Sequence, residues 1–182
     1  MESINKVVTY TIKQNWIMLS TKPMPIYDEN YNIIGYVNCF DKSLGERIFK
    51  YLCPIFNNFE TKDVDGNIHI RVVQSILFFK RAEWKVELYC NQQKEISFIL
   101  RDISLTSNAK TLVFEFEGWQ ITMENNRVNY QTRFIDSTKG VIAQCDRKGI
   151  FDIDIQVFKP ELDIYLIATL GLVHYYSSLW GR

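Results

Sequence analysis

The 182-residue sequence has little glycine and little proline, 8 and 4 residues. That excludes a collagenous, low-complexity or linker-rich chain. It also lacks an excess of either charge: 21 Lys and Arg balance 21 Asp and Glu. Residues 1–91 hold 11 basic and 10 acidic groups, and residues 92–182 hold 10 and 11, so neither half carries the positive excess of a nucleic-acid binder, in which phosphate neutralisation dominates affinity. Cysteine is sparse. Cys39, Cys53, Cys90 and Cys145 form no CxxC pair, and the two histidines, His69 and His174, stand far apart. Metal fingers need close ligand pairs, so none is expected. The cysteines read as buried free thiols of a reducing compartment. The start, Met1-Glu-Ser-Ile-Asn-Lys6, has no apolar run after a basic one, and a cytoplasmic protein without a secretory signal is expected. GxSxG, GxGxxG, the P-loop pattern and HExxH are all missing. The expectation is therefore no enzyme and no cofactor.

Apolar residues are plentiful, at 47%, with 14% aromatic. One domain spanning residues 1–182 can bury a sizeable core. Most of the chain reads as short strands between about residues 7 and 157. In Phe151-Asp-Ile-Asp-Ile-Gln-Val157 the odd positions are apolar and the even ones polar, the period of a strand with one wet face. Asp65-Gly66 between two β-branched runs predicts a two-residue type I′ hairpin. The polar run 91–94 and Asn125-Asn126 read as further turns. Trp16–Leu19 reads as another strand, and Ser43–Leu52 as a short helix or irregular strand. About ten strands separated by short turns predict an antiparallel sandwich or barrel.

The end of the chain differs. Pro160 suits a first helical position, and Glu161 and Asp163 suit the first turn, where acids favour the helix dipole. The uncharged stretch from Ile164 to Gly181 then predicts a helix over about 160–180 that is apolar on every side. Such a helix is enclosed either by protein or by lipid. Its ~27 Å length approaches a membrane span, but Thr169, Gly171, His174, Ser177 and Ser178 lie within it. A closed barrel of more than eight strands has an interior to fill, and a helix of about 10 Å diameter fits. His174 then reads as a hydrogen-bonded core residue rather than a ligand. A lipocalin-type barrel with an attached helix and a helix-grip domain are alternative arrangements.

The segment from Phe151 through Pro160 to Ala168 resembles the final strand and lead-in to the central helix of tubby C-terminal-like proteins. That superfamily also includes phospholipid scramblases and LURP-one-related proteins. Ile26-Tyr-Asp-Glu-Asn-Tyr-Asn-Ile-Ile-Gly-Tyr36 is similar to their opening strand, acidic turn and strand, and Asp63-Val-Asp-Gly-Asn67 to a later repeat of it. The resemblance implies a closed antiparallel β-barrel enclosing the C-terminal helix. It also implies one of several activities, among them phosphoinositide binding and lipid scrambling. Frequent Ile, Asn, Lys and Tyr fit an AT-rich bacterial genome.

Two groups of residues are candidate sites. Lys80, Arg81 and Lys85, with Trp84 among them, are the densest basic cluster; cations beside an aromatic suit an anionic headgroup. Glu83 and Glu87 lie among them and offset part of that charge. Asp152, Asp154, Glu161 and Asp163 offer oxygen ligands for Ca²⁺, and resemblance to scramblases, whose equivalent region is acidic and calcium-associated, raises the idea; a solvated strand face and dipole-favoured acids explain them without a metal, and no metal is the expectation. The expected function is a non-enzymatic intracellular binding or regulatory module engaging anionic membrane phospholipid. A protein-interaction scaffold without lipid, a scramblase-like membrane protein and a small-ligand carrier are the alternatives.

Overall fold

The computed structural model describes residues 7–14, 22–46, 58–75, 81–105, 109–126, 131–149, 152–159 and 162–179. These form twelve strands: β1 (Val8–Lys13), β2 (Met24–Tyr27), β3 (Ile33–Phe40), β4 (Asn58–Asp63), β5 (Ile68–Ser75), β6 (Glu83–Cys90), β7 (Gln93–Asp102), β8 (Thr111–Phe116), β9 (Trp119–Asn126), β10 (Gln131–Asp136), β11 (Gly140–Lys148) and β12 (Asp152–Val157). One helix, α1 (Ile164–Leu179), ends the described chain. Every strand runs antiparallel to its neighbours in chain order, and β1 pairs with both β2 and β12, closing the barrel. Side chains therefore alternate between interior and outside. Ile153, Ile155 and Val157 of β12 point in, as their spacing predicts.

Four sequence expectations change. The Asp65-Gly66 turn is not type I′: only Gly66 takes a positive φ (86°), Gly66 N–H donates to Asp63 O (3.2 Å), and Asp63 N–H donates to Asn67 O (3.1 Å). A type I turn followed by a left-handed glycine meets the same need for a tight reversal. The run 91–94 shortens to a two-residue turn, Asn91 and Gln92, both at positive φ. Asn125 and Asn126 lie inside β9 rather than in a turn. Twelve strands stand where about ten are expected, among them β2 and β4 where short strands at Ile26-Tyr27 and from Thr61 are expected. The 43–52 segment shows a helical turn at residues 44–46, and its remainder, like the strand expected at Trp16–Leu19, lies outside the described residues.

The helix occupies the barrel interior. Leu166, Ile167, Ala168, Leu170, Leu172 and Val173 are all within 1% of full burial, although they point around the whole helix circumference. The barrel wall encloses them. A lipocalin-like empty barrel is therefore not the arrangement, because α1 occupies the interior. α1 starts at Ile164, later than its acids suggest: Asp163 is the N-cap, its Oδ1 accepting the Tyr165 N–H at 2.6 Å. Pro160 and Glu161 fall outside the described residues.

Polar groups on α1 meet matching groups on the wall. Thr169 donates to Tyr165 O (2.6 Å) and so accepts from the Thr61 hydroxyl on β4 (2.5 Å). Tyr165 donates to Ile34 O on β3 (2.8 Å). His174, fully buried, reaches Lys110 O (3.2 Å) and the Thr132 hydroxyl on β10 (3.1 Å). Together these bonds fix the helix in rotation and depth, since a buried polar atom without its partner costs about 1–3 kcal/mol. Glycine permits two close approaches. A Cβ on Gly171 would stand 2.8 Å from Cys145 Sγ, and one on Gly35 would stand 2.5 Å from Lys62 O.

The barrel has two unlike ends. The turns after β2, β4, β6, β8 and β10 gather with the start of α1 at one, called here the hairpin end. The opposite end holds residues 81–82, 103–105 and the C-terminal turn of α1.

Candidate functional site

The basic cluster lies at the end opposite the hairpins. Arg81 and Lys85 are exposed there, while Lys80 falls outside the described residues. Trp84 does not share their surface. Adjacent strand residues point to opposite faces, and the indole faces the core at 3% exposure. Lys85 is paired with Glu87 (2.8 Å), whose bond and charge raise the ammonium pKa. Arg101 stands 3.5 Å from Glu83 across β6 and β7. The Asp102 N–H donates to Ala82 O (3.0 Å), which lays the segment after β7 beside Arg81. Ile103 and Leu105 of that segment are solvent-exposed, Leu105 at 93%. Sequence reading missed these two apolar side chains, because an isolated Ile or Leu carries no signal until the fold strands it in water.

The candidate calcium ligands are not brought together. Asp154 accepts from the Thr11 hydroxyl (3.0 Å) and is ion-paired with Lys148. Asp152 stands in register with Lys13 and Lys148. Asp163 lies past the far end of β12 and serves α1 as its cap. Glu161 falls outside the described residues. Among the described residues no three His, Cys, Asp or Glu side chains are grouped to hold a metal ion.

The hairpin end contains a cleft of about 420 Å³ that the sequence did not announce. It opens because the β6–β7 hairpin peels away from β5: described pairing stops at Ile70 and Leu88, and the strands continue apart. Ile68, Ile70 and Leu88 give it apolar walls, Tyr89 an aromatic one, and Asp63, Glu95 and Asp163 an acidic rim. Gln92 at the hairpin tip donates to Asn67 Oδ1 (3.2 Å) across the gap. Asp63 accepts from the Asn67 side chain (2.9 Å) and backbone (2.8 Å) and from His69 Nε2 (3.2 Å). These bonds, the Asn67 side chain first, lower its pKa to about 2, so its carboxylate stays charged. The His69 ring lies 4.4 Å from that of Tyr165 on α1. Cys90, expected to be buried, is exposed beside the turn; Cys39 and Cys145 are buried as expected, and Cys53 lies outside the described residues.

The sequence profile of the Tubby C-terminal like domain matches residues 10–177, from within β1 through β12 and nearly all of α1. Comparison with curated proteins gives no match. Among solved structures, an X-ray structure of a protein from Arabidopsis thaliana superposes with a TM-score of 0.57 over 93% of this chain and 90% of that one. At 14% identity that likeness concerns the fold alone. With the profile covering nearly the whole barrel and the helix inside it, this chain belongs to the tubby C-terminal-like family.

Proposed function

We propose that the chain is a non-enzymatic binding module that engages anionic membrane phospholipid with the outside of its barrel, at the end carrying Arg81 and Lys85. The observation that carries this reading is the filled interior: with α1 as core, binding is left to the outer surface. The family's association with lipid and phosphoinositide binding supports the ligand class. So does the juxtaposition of Arg81 with exposed Ile103 and Leu105, since cations beside apolar side chains suit a headgroup layer over acyl chains. Among the described residues no helix is long and apolar enough to cross a membrane.

Co-sedimentation with vesicles tests the reading. Binding to vesicles rich in phosphatidylserine is expected at low salt, lost at high salt because screened charges supply much of it. The Lys80→Ala/Arg81→Ala/Lys85→Ala variant is expected to lose most of it, and Leu105→Ser part. Equal binding to neutral vesicles removes the electrostatic element, and no binding to either discards the lipid reading. A protein scaffold is then favoured, for which the β7 edge is suited: its described pairing with β8 covers only Arg101 and Asp102, leaving residues 93–100 unpaired on that side by the described strands.

A further inference from the structure

The cleft at the hairpin end is chemically opposite to the surface proposed for lipid. Among the described residues no Lys or Arg lines it, and three carboxylates do. Asp63 is held ionised by its bonds to Asn67 and His69. Asp163 offsets the positive end of α1 by capping it. Glu95 stands on the β7 side of the opening and is exposed. An anion is repelled from such a cleft, so phospholipid headgroups do not fit it. Its volume falls within the roughly 300–1,000 Å³ of small-molecule sites. A bare metal ion is equally unsuited, because the carboxylates lie apart around walls that are mostly apolar. Those walls, with the Tyr89 ring, suit a hydrocarbon body bearing a positive group, which carboxylates and aromatic faces both attract.

We propose that this cleft, between the β6–β7 hairpin and the start of α1, binds a small organic cation: an alkyl guanidinium or ammonium whose charge meets Asp63 and Glu95 and whose chain lies against Ile68 and Leu88. The β6–β7 hairpin forms one of its walls. The described hairpin tip reaches the β4–β5 turn through the exposed Gln92–Asn67 bond. Beyond Leu88 the described strands give it no ladder to β5.

Two isosteric probes isolate the charge. Butylguanidinium and the neutral butylurea are titrated separately into the full chain, followed by amide and aromatic NMR shifts. Butylguanidinium is expected to move the signals of residues 67–70 and 88–95 and to saturate below about 10 mM. Butylurea should bind about tenfold more weakly or not at all. Glu95→Gln, an exposed substitution, should weaken butylguanidinium about three- to tenfold at an unchanged melting temperature, while Lys148→Ala, exposed at the opposite end, should leave its affinity unchanged. Gln92→Ala, which frees the hairpin tip, should alter the association rate. Absent shifts, equal binding of the urea, shifts elsewhere on the barrel, or Glu95→Gln binding like the parent would each overturn the assignment. None of these results bears on the vesicle experiment, so the two proposals stand or fall separately.

Discussion

Inside the barrel, His174 must stay neutral. The Lys110 carbonyl can only accept, so Nε2 carries the proton and Nδ1 accepts from the Thr132 hydroxyl. Burial lowers the pKa to about 4 from an ordinary 6.5. An unfolded chain therefore takes up a proton near pH 6.5 that the folded chain refuses until about pH 4. Stability contributed by the neutral ring is complete above pH 6.5 and falls as pH drops through that window, by up to about 3 kcal/mol. Glu60 and Asp63 also have lowered pKa values, but their contributions fade only as pH falls below their ordinary 4.5 and 3.8. Denaturant unfolding between pH 7 and pH 5 thus isolates the histidine. His174→Gln, which can still donate and accept, is expected to remove most of the slope in that range; an unchanged slope would assign it elsewhere. The core role of His174 was legible in the sequence, because a lone histidine in an apolar run needs partners rather than a substrate. Its partners were not, since residues 42 and 64 positions away meet it only through the closed sheet.

At the scale of the elements, α1 is held by shape as well as by hydrogen bonds. Gly171 passes Cys145 where no Cβ fits without movement. Gly171→Ala gains up to about 1 kcal/mol of helix propensity but overpacks the contact, which costs about 1–3 kcal/mol. A net loss in melting temperature is expected. Cys145→Ala should open the space, so the double variant recovers part of the loss. Additive losses in the four-member cycle would mean the two sites do not touch. The strands show why some elements are readable and others are not. β12 alternates apolar and polar residues, with Ile153, Ile155 and Val157 turned inward and Asp152 and Gln156 partly exposed, so its period of two survives in the sequence although Asp154 is buried beside Thr11 and Lys148. In β4, Asn-Phe-Glu-Thr-Lys-Asp buries Asn58, Glu60 and Thr61, with Arg71 and Lys62 neutralising Glu60. Polar residues satisfied by neighbours from other strands break the pattern that a reader of one strand relies on. The same holds for the candidate sites. Lys80, Arg81, Trp84 and Lys85 are adjacent in sequence, but the pleat sends Trp84 inward and Lys85 outward. The hairpin-end cleft joins residues 63, 95 and 163, a conjunction that no local pattern carries.

Over the whole molecule, the described residues mix charges at both ends. The hairpin end displays Asp28, Glu29, Asp63, Asp65, Glu95, Glu117 and Asp163 against Lys62, Lys94, Lys139 and Lys159, while Arg81, Lys85 and Arg101 share the opposite end with Asp41, Glu46, Glu83 and Asp102. The proposed lipid contact has the molecule meet a membrane with the end carrying Arg81 and Lys85. That contact and the filled interior both depend on α1 being the core of the barrel rather than a segment that leaves it for lipid. Hydrogen–deuterium exchange of the amides of residues 166–176, with and without phosphatidylserine vesicles, tests this most directly. The structure predicts exchange as slow as global unfolding allows, unchanged by vesicles that slow exchange around Arg81 and Leu105. Rapid exchange in the free protein, or altered protection of the helix when vesicles bind, would contradict it.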